Sequence, residues 1–153
     1  MSKSRAALQA EDGQAAVLIA VVLAALLMFA AGGVDWAWIK GTQAYTQAAA
    51  DAAALAGAMH TVTAQQVDAR GSIYASSTIV DPAAGPQAAA VSWNDALAGW
   101  PAVQTLSFTT VPTGATLQVT ARVQVKTLGL SLVSAALGSQ QWTVAAEARC
   151  NCP

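Results

Sequence analysis

The chain has 153 residues, 55% of them hydrophobic and only 10% charged. That charged share is well under half of the roughly 25% usual in soluble domains, which excludes disorder throughout. A formal net charge of −1 leaves no electrostatic footprint for nucleic acid, and one histidine with two cysteines argues against a zinc site built by one chain. Alanine supplies 38 residues, so large core side chains are scarcer than the hydrophobic fraction implies.

Between Asp12 and Asp35 lies an uncharged run, GQAAVLIAVVLAALLMFAAGGV. A spanning helix needs roughly 20 apolar residues to cross about 30 Å of hydrocarbon. Trp36 and Trp38 follow, where an aromatic belt sits at the headgroups, and Lys40 lies within snorkelling reach. Three readings fit: a retained membrane helix, a cleaved secretory signal with Ala30-Ala31-Gly32 as its small-residue site, and a buried core helix. Length favours the first. The run exceeds the roughly 7–15 apolar residues of a signal peptide. A helix apolar all round also needs a larger protein than this one to bury it. Lys3 and Arg5 favour a cytoplasmic N-terminus.

From Trp36 to Met59 there is no proline and almost nothing but helix formers. Lys40, Gln43, Gln47 and Asp51 fall three and four apart as a polar stripe. Trp38, Tyr45, Ala48, Ala52, Leu55 and Met59 make the expected apolar face. A continuous helix from Gly13 to Ala58 would extend roughly 69 Å. Gly32-Gly33 and Gly41 are the expected bends. Thr63 and Gln66 have capping-box spacing, which predicts a second helix from Ala64 to about Ser77. Pro82 to Gly85-Pro86 reads as a loop, and Ala88 to Trp93 as a weak strand.

The distal part reads as a sheet. Ala115 to Lys126 alternates without a break, apolar at odd and polar at even positions. Val103 to Val111 alternates less cleanly, with Leu106 and Phe108 expected inward, and Pro112-Thr113-Gly114 joins the two as a hairpin. Trp142 to Cys150 gives a third strand, with Trp142, Val144, Ala146 and Ala148 on its inner face. Leu128 to Leu137 reads as a short helix closed by Gly138. The sheet needs a cover, and a helix is the available one. The expected fold class is therefore α+β: a long N-terminal transmembrane-plus-stalk helix carrying a small antiparallel-sheet head. The boundaries are 1–13 for a cytoplasmic leader, 14–34 for the span, 35–60 for an Ala-rich stalk helix and 61–153 for an extracytoplasmic head.

The order of Gly13, an apolar span, Val34-Asp35 and then the string Ala50-Asp51-Ala52-Ala53-Ala54-Leu55-Ala56-Gly57-Ala58 resembles the TadE/TadG-like family of Flp-pilus (tight adherence) assembly proteins. The resemblance covers Gly13 to Ala58. It implies a single-pass protein of the bacterial inner membrane that builds or anchors Flp-type pili, with the lipid bilayer and other pilus-assembly membrane proteins or pilins as partners. Some relatives are cut by a prepilin peptidase after a Gly, with Glu at the fifth mature position. Here Gly13 would be the cleavage Gly and Gln14 the first mature residue, but the fifth is Leu18, which favours the uncleaved, TadG-like side. The alternatives are a processed, TadE-like minor pilin built into the fibre, and a membrane-tethered binding or adhesin module unrelated to pili.

Asp35, Asp51, Ala52, Leu55 and Gly57 are the candidate helix-packing and assembly residues. Asp35 fits either a contact to a partner or a charge at the outer interface. Asp51 fits either an ion pair with a neighbouring helix or solvation with the polar stripe. His60 has no acid, cysteine or second histidine placed to work with it. No nucleophile elbow, phosphate loop or metal-spaced cluster occurs, so no catalytic, metal or cofactor residues and no small-molecule substrate are expected. Cys150 and Cys152 fit a strained local disulfide, bonds to another subunit, or two free thiols, and the local bridge ranks first.

Overall fold

The computed structural model describes residues 3–127 and 139–150. Its first element, α1 (Lys3–Ala58), is one helix of 56 residues, about 84 Å long at 1.5 Å per residue. It runs unbroken through Gly32, Gly33 and Gly41, where bends were expected. A two-stranded antiparallel ribbon follows, β1 (Thr61–Val67) with β2 (Ile73–Val80). Next come α2 (Ala84–Leu97) and a three-stranded antiparallel sheet of β3 (Val103–Thr113), β4 (Thr116–Lys126) and β5 (Ser139–Arg149), with β4 in the centre. The α+β class is as read from the sequence.

The alternation along β4 does what its period dictates. Leu117, Val119, Ala121, Val123 and Val125 are fully buried, while Gln118, Thr120, Arg122 and Lys126 face solvent. On β5, Val144 and Ala146 are buried on the same side, with Trp142 and Ala148 packed against them. The cover over this face is double. The C-terminal part of α1 supplies Ala49, Ala50, Ala53, Ala54 and Ala58, and α2 supplies Ala89 and Trp93. The Trp93 indole N–H donates to Thr105 Oγ1 at 3.1 Å, and its ring lies 5.4 Å from that of Phe108. A fully buried Val or Leu contributes about 1.5–3 kcal/mol, so β4 carries much of the head's stability.

Three local expectations are corrected. The segment from Ala64 to Ser77 is not a helix but most of the β1–β2 ribbon. Its β-branched residues (Thr61, Val62, Thr63, Val67, Ile73, Thr78, Ile79, Val80) favour extended backbone. The turn is closed by Asp68, whose carboxylate accepts from the N–H groups of Arg70 and Ser72 at 2.8 Å each, with Gly71 at φ +82. The Thr63–Gln66 capping-box spacing is therefore incidental. Pro82 and Ala83 do form a turn, but Ala84 to Trp93 is neither loop nor strand: it is the start and body of α2. Pro86 falls in the first turn, where no intrahelical N–H bond is lost, and Gly85, Ala89 and Trp93, four apart, are its buried face. Finally, Leu106 points outward at 42% exposure because the β3–β4 register shifts between Thr105 and Ser107. Such a bulge moves a side chain to the other face. The expected helix from Leu128 to Leu137 lies outside the described residues.

Asp81 organises the start of α2. Its carboxylate accepts from the N–H groups of Ala83 at 2.8 Å and Ala84 at 3.0 Å. These bonds, to Ala84 first and then Ala83, hold its pKa below the usual carboxylate value, with a smaller contribution from His60. The folded pKa is thus lower than the unfolded one, about 3.9. Its contribution is fully present above that value and is lost as pH falls through the folded one. A melt of the wild type should lose stability below about pH 4, and part of that acid-dependent loss should vanish in Asp81→Ala. An unchanged acid limb in the variant would remove Asp81 as its source.

The closest approach in the head is the crossing of α1 and α2. A Cβ on Gly57 would lie 2.7 Å from the Gly85 carbonyl oxygen and would collide with the Leu117 side chain. A Cβ on Gly85 would lie 2.7 Å from Val80 Cγ1. Gly57→Ala should therefore destabilise the head by about 1–3 kcal/mol, the usual cost of overpacking. Gly41→Ala, with nothing within 4 Å, should be neutral or mildly stabilising, because Ala is the better helix former. Chemical denaturation of the two variants checks this.

Candidate functional site: the two faces of the long helix

Among the described residues, no three His, Cys, Asp or Glu side chains cluster as a metal site would need. What α1 has is two opposite faces above its apolar stretch. One face is Asp35, Thr42, Thr46, Ala49, Ala50, Ala53, Ala54, Gly57 and Ala58, and all nine are buried. At 3.6 residues per turn these fall on one side of the cylinder. The other side carries Ala37, Gly41, Ala44, Ala48, Ala52, Leu55 and Met59, all exposed.

This corrects the expected apolar face. Trp38 and Tyr45 do pack, but Ala48, Ala52, Leu55 and Met59 point away from the head, with Leu55 56% and Met59 75% exposed. The buried side is chosen by smallness. Ala and Gly let the helix backbone lie close to the sheet and to α2, and larger residues on that face would hold them apart. Two threonines are tolerated there because their hydroxyls bond backward along the helix. Thr42 Oγ1 donates to the Trp38 carbonyl at 2.8 Å, and Thr46 Oγ1 donates to the Thr42 carbonyl at 2.9 Å. Such back-bonding satisfies a buried hydroxyl within the helix.

Polar bonds fix α1 to the head in register. The Trp142 indole N–H donates to Thr46 Oγ1 at 3.1 Å, and Gln47 Nε2 donates to the Ala145 carbonyl at 2.8 Å. The Tyr45 hydroxyl donates to the Ala96 carbonyl of α2. Trp100, just after α2, is stacked on Tyr45 at 4.4 Å and on Trp38 at 5.6 Å between ring centroids. Lys40 Nζ sits 5.0 Å from the ring centre of Trp36, a cation–π distance.

The candidate residues divide between the faces. Asp35 is 1% exposed, so it is no solvated charge at an interface. Gly57 is at the helix crossing. Asp51, Ala52 and Leu55 are exposed and away from the core, with Asp51 accepting from Gln47 Nε2 at 3.1 Å. Gly13 and Gln14 lie inside the unbroken α1. Cys150 is half-buried just past β5, and the Cys150–Cys152 bridge lies outside the described residues because Cys152 does. Thr42, Thr46, Trp100 and Gly85 were not singled out from the sequence. The first two could have been, since Thr42, Thr46, Ala49, Ala53 and Gly57 repeat at three and four.

Below the head, α1 is bare. Within Gln14–Ala58 its most apolar 18 residues have mean hydropathy 2.7, and none of them is buried. Phe29 is 81% exposed. The buried-core-helix reading of this run is thereby overturned, and the helix is long and apolar enough to cross a membrane.

Residues 13–60 match the Tad family model, described as "Putative Flp pilus-assembly TadE/G-like". No curated protein and no solved structure matches the chain. The matched segment is α1 from the start of its apolar run to just past the Gly57 crossing, so the resemblance read from Gly13, Val34-Asp35 and the Ala50–Ala58 string is borne out there.

Proposed function

We propose, from a chain whose first matched segment is that of the TadE/G-like Flp pilus-assembly family, that this protein is an uncleaved, TadG-like structural component anchored in the bacterial inner membrane. Residues 1–13 are then the cytoplasmic leader, 14–34 the span, 35–60 the Ala-rich stalk helix, and 61–153 the extracytoplasmic head. The observation that carries the reading is the outward face of α1. It continues the apolar span upward as Ala37, Gly41, Ala44, Ala48, Ala52, Leu55 and Met59, uncharged and exposed. An isolated helix gains nothing from such a face in water, where charged residues and their i,i+4 pairs would serve better. A neighbouring helix, from another assembly protein or a pilin, gains close backbone approach. Asp51 and Leu55 flank and extend that contact. The mechanism is placement: the span fixes the height of the head and the bare face joins it laterally to partners.

The faces can be tested separately. Ala52→Leu, on the bare side, should leave the head folded and the protein membrane-inserted but reduce its co-purification with pilus-assembly partners. Ala53→Leu, fully buried, should instead unfold or loosen the head. Partner co-purification unaffected by Ala52→Leu would end the lateral-packing mechanism.

Processing and orientation have their own readout. Leu18 in place of the fifth-position Glu supports a chain that keeps Lys3 and Arg5, and Lys3 and Arg5 support a cytoplasmic N-terminus. Mass spectrometry of membrane-purified protein should find the leader present. A membrane-impermeant thiol reagent should label Cys150 or Cys152 on intact spheroplasts after reduction. A mature start at Gln14 would move the protein to the processed minor-pilin reading, and labelling only after lysis would reverse the topology.

A further inference from the structure

We infer that the end of the head nearest the span is a lipid-binding platform, with Trp100 and Lys126 joining Trp36, Trp38 and Lys40 at the outer headgroups; the inference rests on the membrane-anchored reading above.

The first observation is one of depth. Along α1 the contact with the described part of the head reaches down to Trp38, stacked on Trp100, and Asp35, a turn below it, is buried beside Val34, which is 65% exposed. No free length of helix separates the head from the apolar run. Trp38 is one turn past Val34, about 6 Å at 1.5 Å per residue. The polar zone of a leaflet is of similar thickness, since about 40–45 Å of bilayer encloses about 30 Å of hydrocarbon. Trp100, stacked on Trp38 and Tyr45, is brought to this level although it lies far away in sequence.

The strands give the same level independently. β4 descends along α1: Leu117 lies against Gly57, and Val123 is paired with Trp142, which bonds Thr46. Three residues further, about 10 Å along a strand, is Lys126. That distance matches the drop from Thr46 to about Lys40 on the helix, roughly 9 Å. The Lys126 N–H donates to the Ala102 carbonyl at 3.4 Å, which ties β4 to the stretch just after Trp100. A shallow groove there is lined by Pro101, Ala102, Val103, Gln104, Gln124 and Lys126.

Chemistry selects the occupant. Trp rings are amphipathic and settle at headgroup depth. Trp36 is 63% exposed and Trp38 37%. The exposed charges described at this level are two cations, Lys40 and Lys126, while Asp35 is buried and Asp95 sits higher, on the last turn of α2. An anionic phospholipid surface complements aromatic rings flanked by lysines, since basic side chains close to such a surface are drawn to it. The surface is continuous with the apolar span, so the bilayer already bounds it on one side.

The test uses the full chain in nanodiscs of phosphatidylcholine, with and without phosphatidylglycerol. Lipids brominated near the headgroup should quench part of the tryptophan emission. Trp100→Phe should lose some of that quenchable part, Trp36→Phe should lose some as well, and Trp93→Phe, in the core, should lose none. Hydrogen exchange of residues 98–103 in the wild-type protein should slow when phosphatidylglycerol is added, and Lys40→Gln with Lys126→Gln should abolish that slowing. Quenching that reports Trp36 but not Trp100, with exchange at 98–103 indifferent to lipid charge, would overturn the platform and leave the anchor standing. Failure of Trp36 to be quenched would overturn the anchored reading and the platform together.

Discussion

The fold depends on how closely α1 can approach what it packs on. Gly57 has no room for a methyl group, because the Gly85 carbonyl and the Leu117 side chain fill that space. Every buried residue of α1 from Thr42 to its end at Ala58 is Ala, Gly or Thr. The helix backbone therefore lies almost directly on the sheet and on α2. Small contact residues bury little area each, so the gain has to come from elsewhere. It comes from the residues they allow in: Leu117, Val119, Val123 and Trp93 reach full burial because α1 is near enough to seal them.

Close packing of small residues is also weak in specifying register, since one alanine fits much like the next. The polar and aromatic bonds supply what the alanines do not. Trp142 to Thr46, Gln47 to the Ala145 carbonyl and Tyr45 to the Ala96 carbonyl each join a single position on α1 to a single position on the head. Slipping the helix by one turn would strand a partly buried indole N–H and leave a buried Thr hydroxyl facing the wrong neighbour. Unpaired groups of that kind cost about 1–3 kcal/mol each. The small residues set the distance, and these bonds set the position.

Legibility in the sequence followed the strength of local periodicity. β4 was readable because twelve residues alternate without exception, and α1 because nothing in it breaks a helix. The β1–β2 ribbon was not, because a capping-box spacing at Thr63 and Gln66 competed with a β-branched composition and the composition won. α2 was hidden by Pro82, Gly85 and Pro86, which signal a loop, although Pro82 precedes the helix and a helix's first turn tolerates the other two. The choice of face on α1 failed for a different reason. Hydrophobicity does not discriminate the buried side of an Ala-rich helix: Leu55 and Met59 are out, while Thr42 and Thr46 are in. Side-chain size was the informative quantity. Trp100 could not be placed at all, since only the return of α2 alongside α1 brings it to Trp38.

An uninterrupted helix has a mechanical consequence that a flexible tether lacks. Every residue of α1 turns with every other, so rotation of the apolar run about its axis rotates the head by the same angle. The head and the bare Ala face are on opposite sides of that axis. In the proposed arrangement, a partner helix that packs on the bare side fixes the rotation of α1 and thereby aims the head directly away from the contact. The ribbon of β1 and β2, carried beyond the Gly57 end of the helix, is then held furthest from the bilayer. Lateral packing in or near the membrane thus determines what the assembly presents at its outer surface, and it does so without any hinge or chemical step.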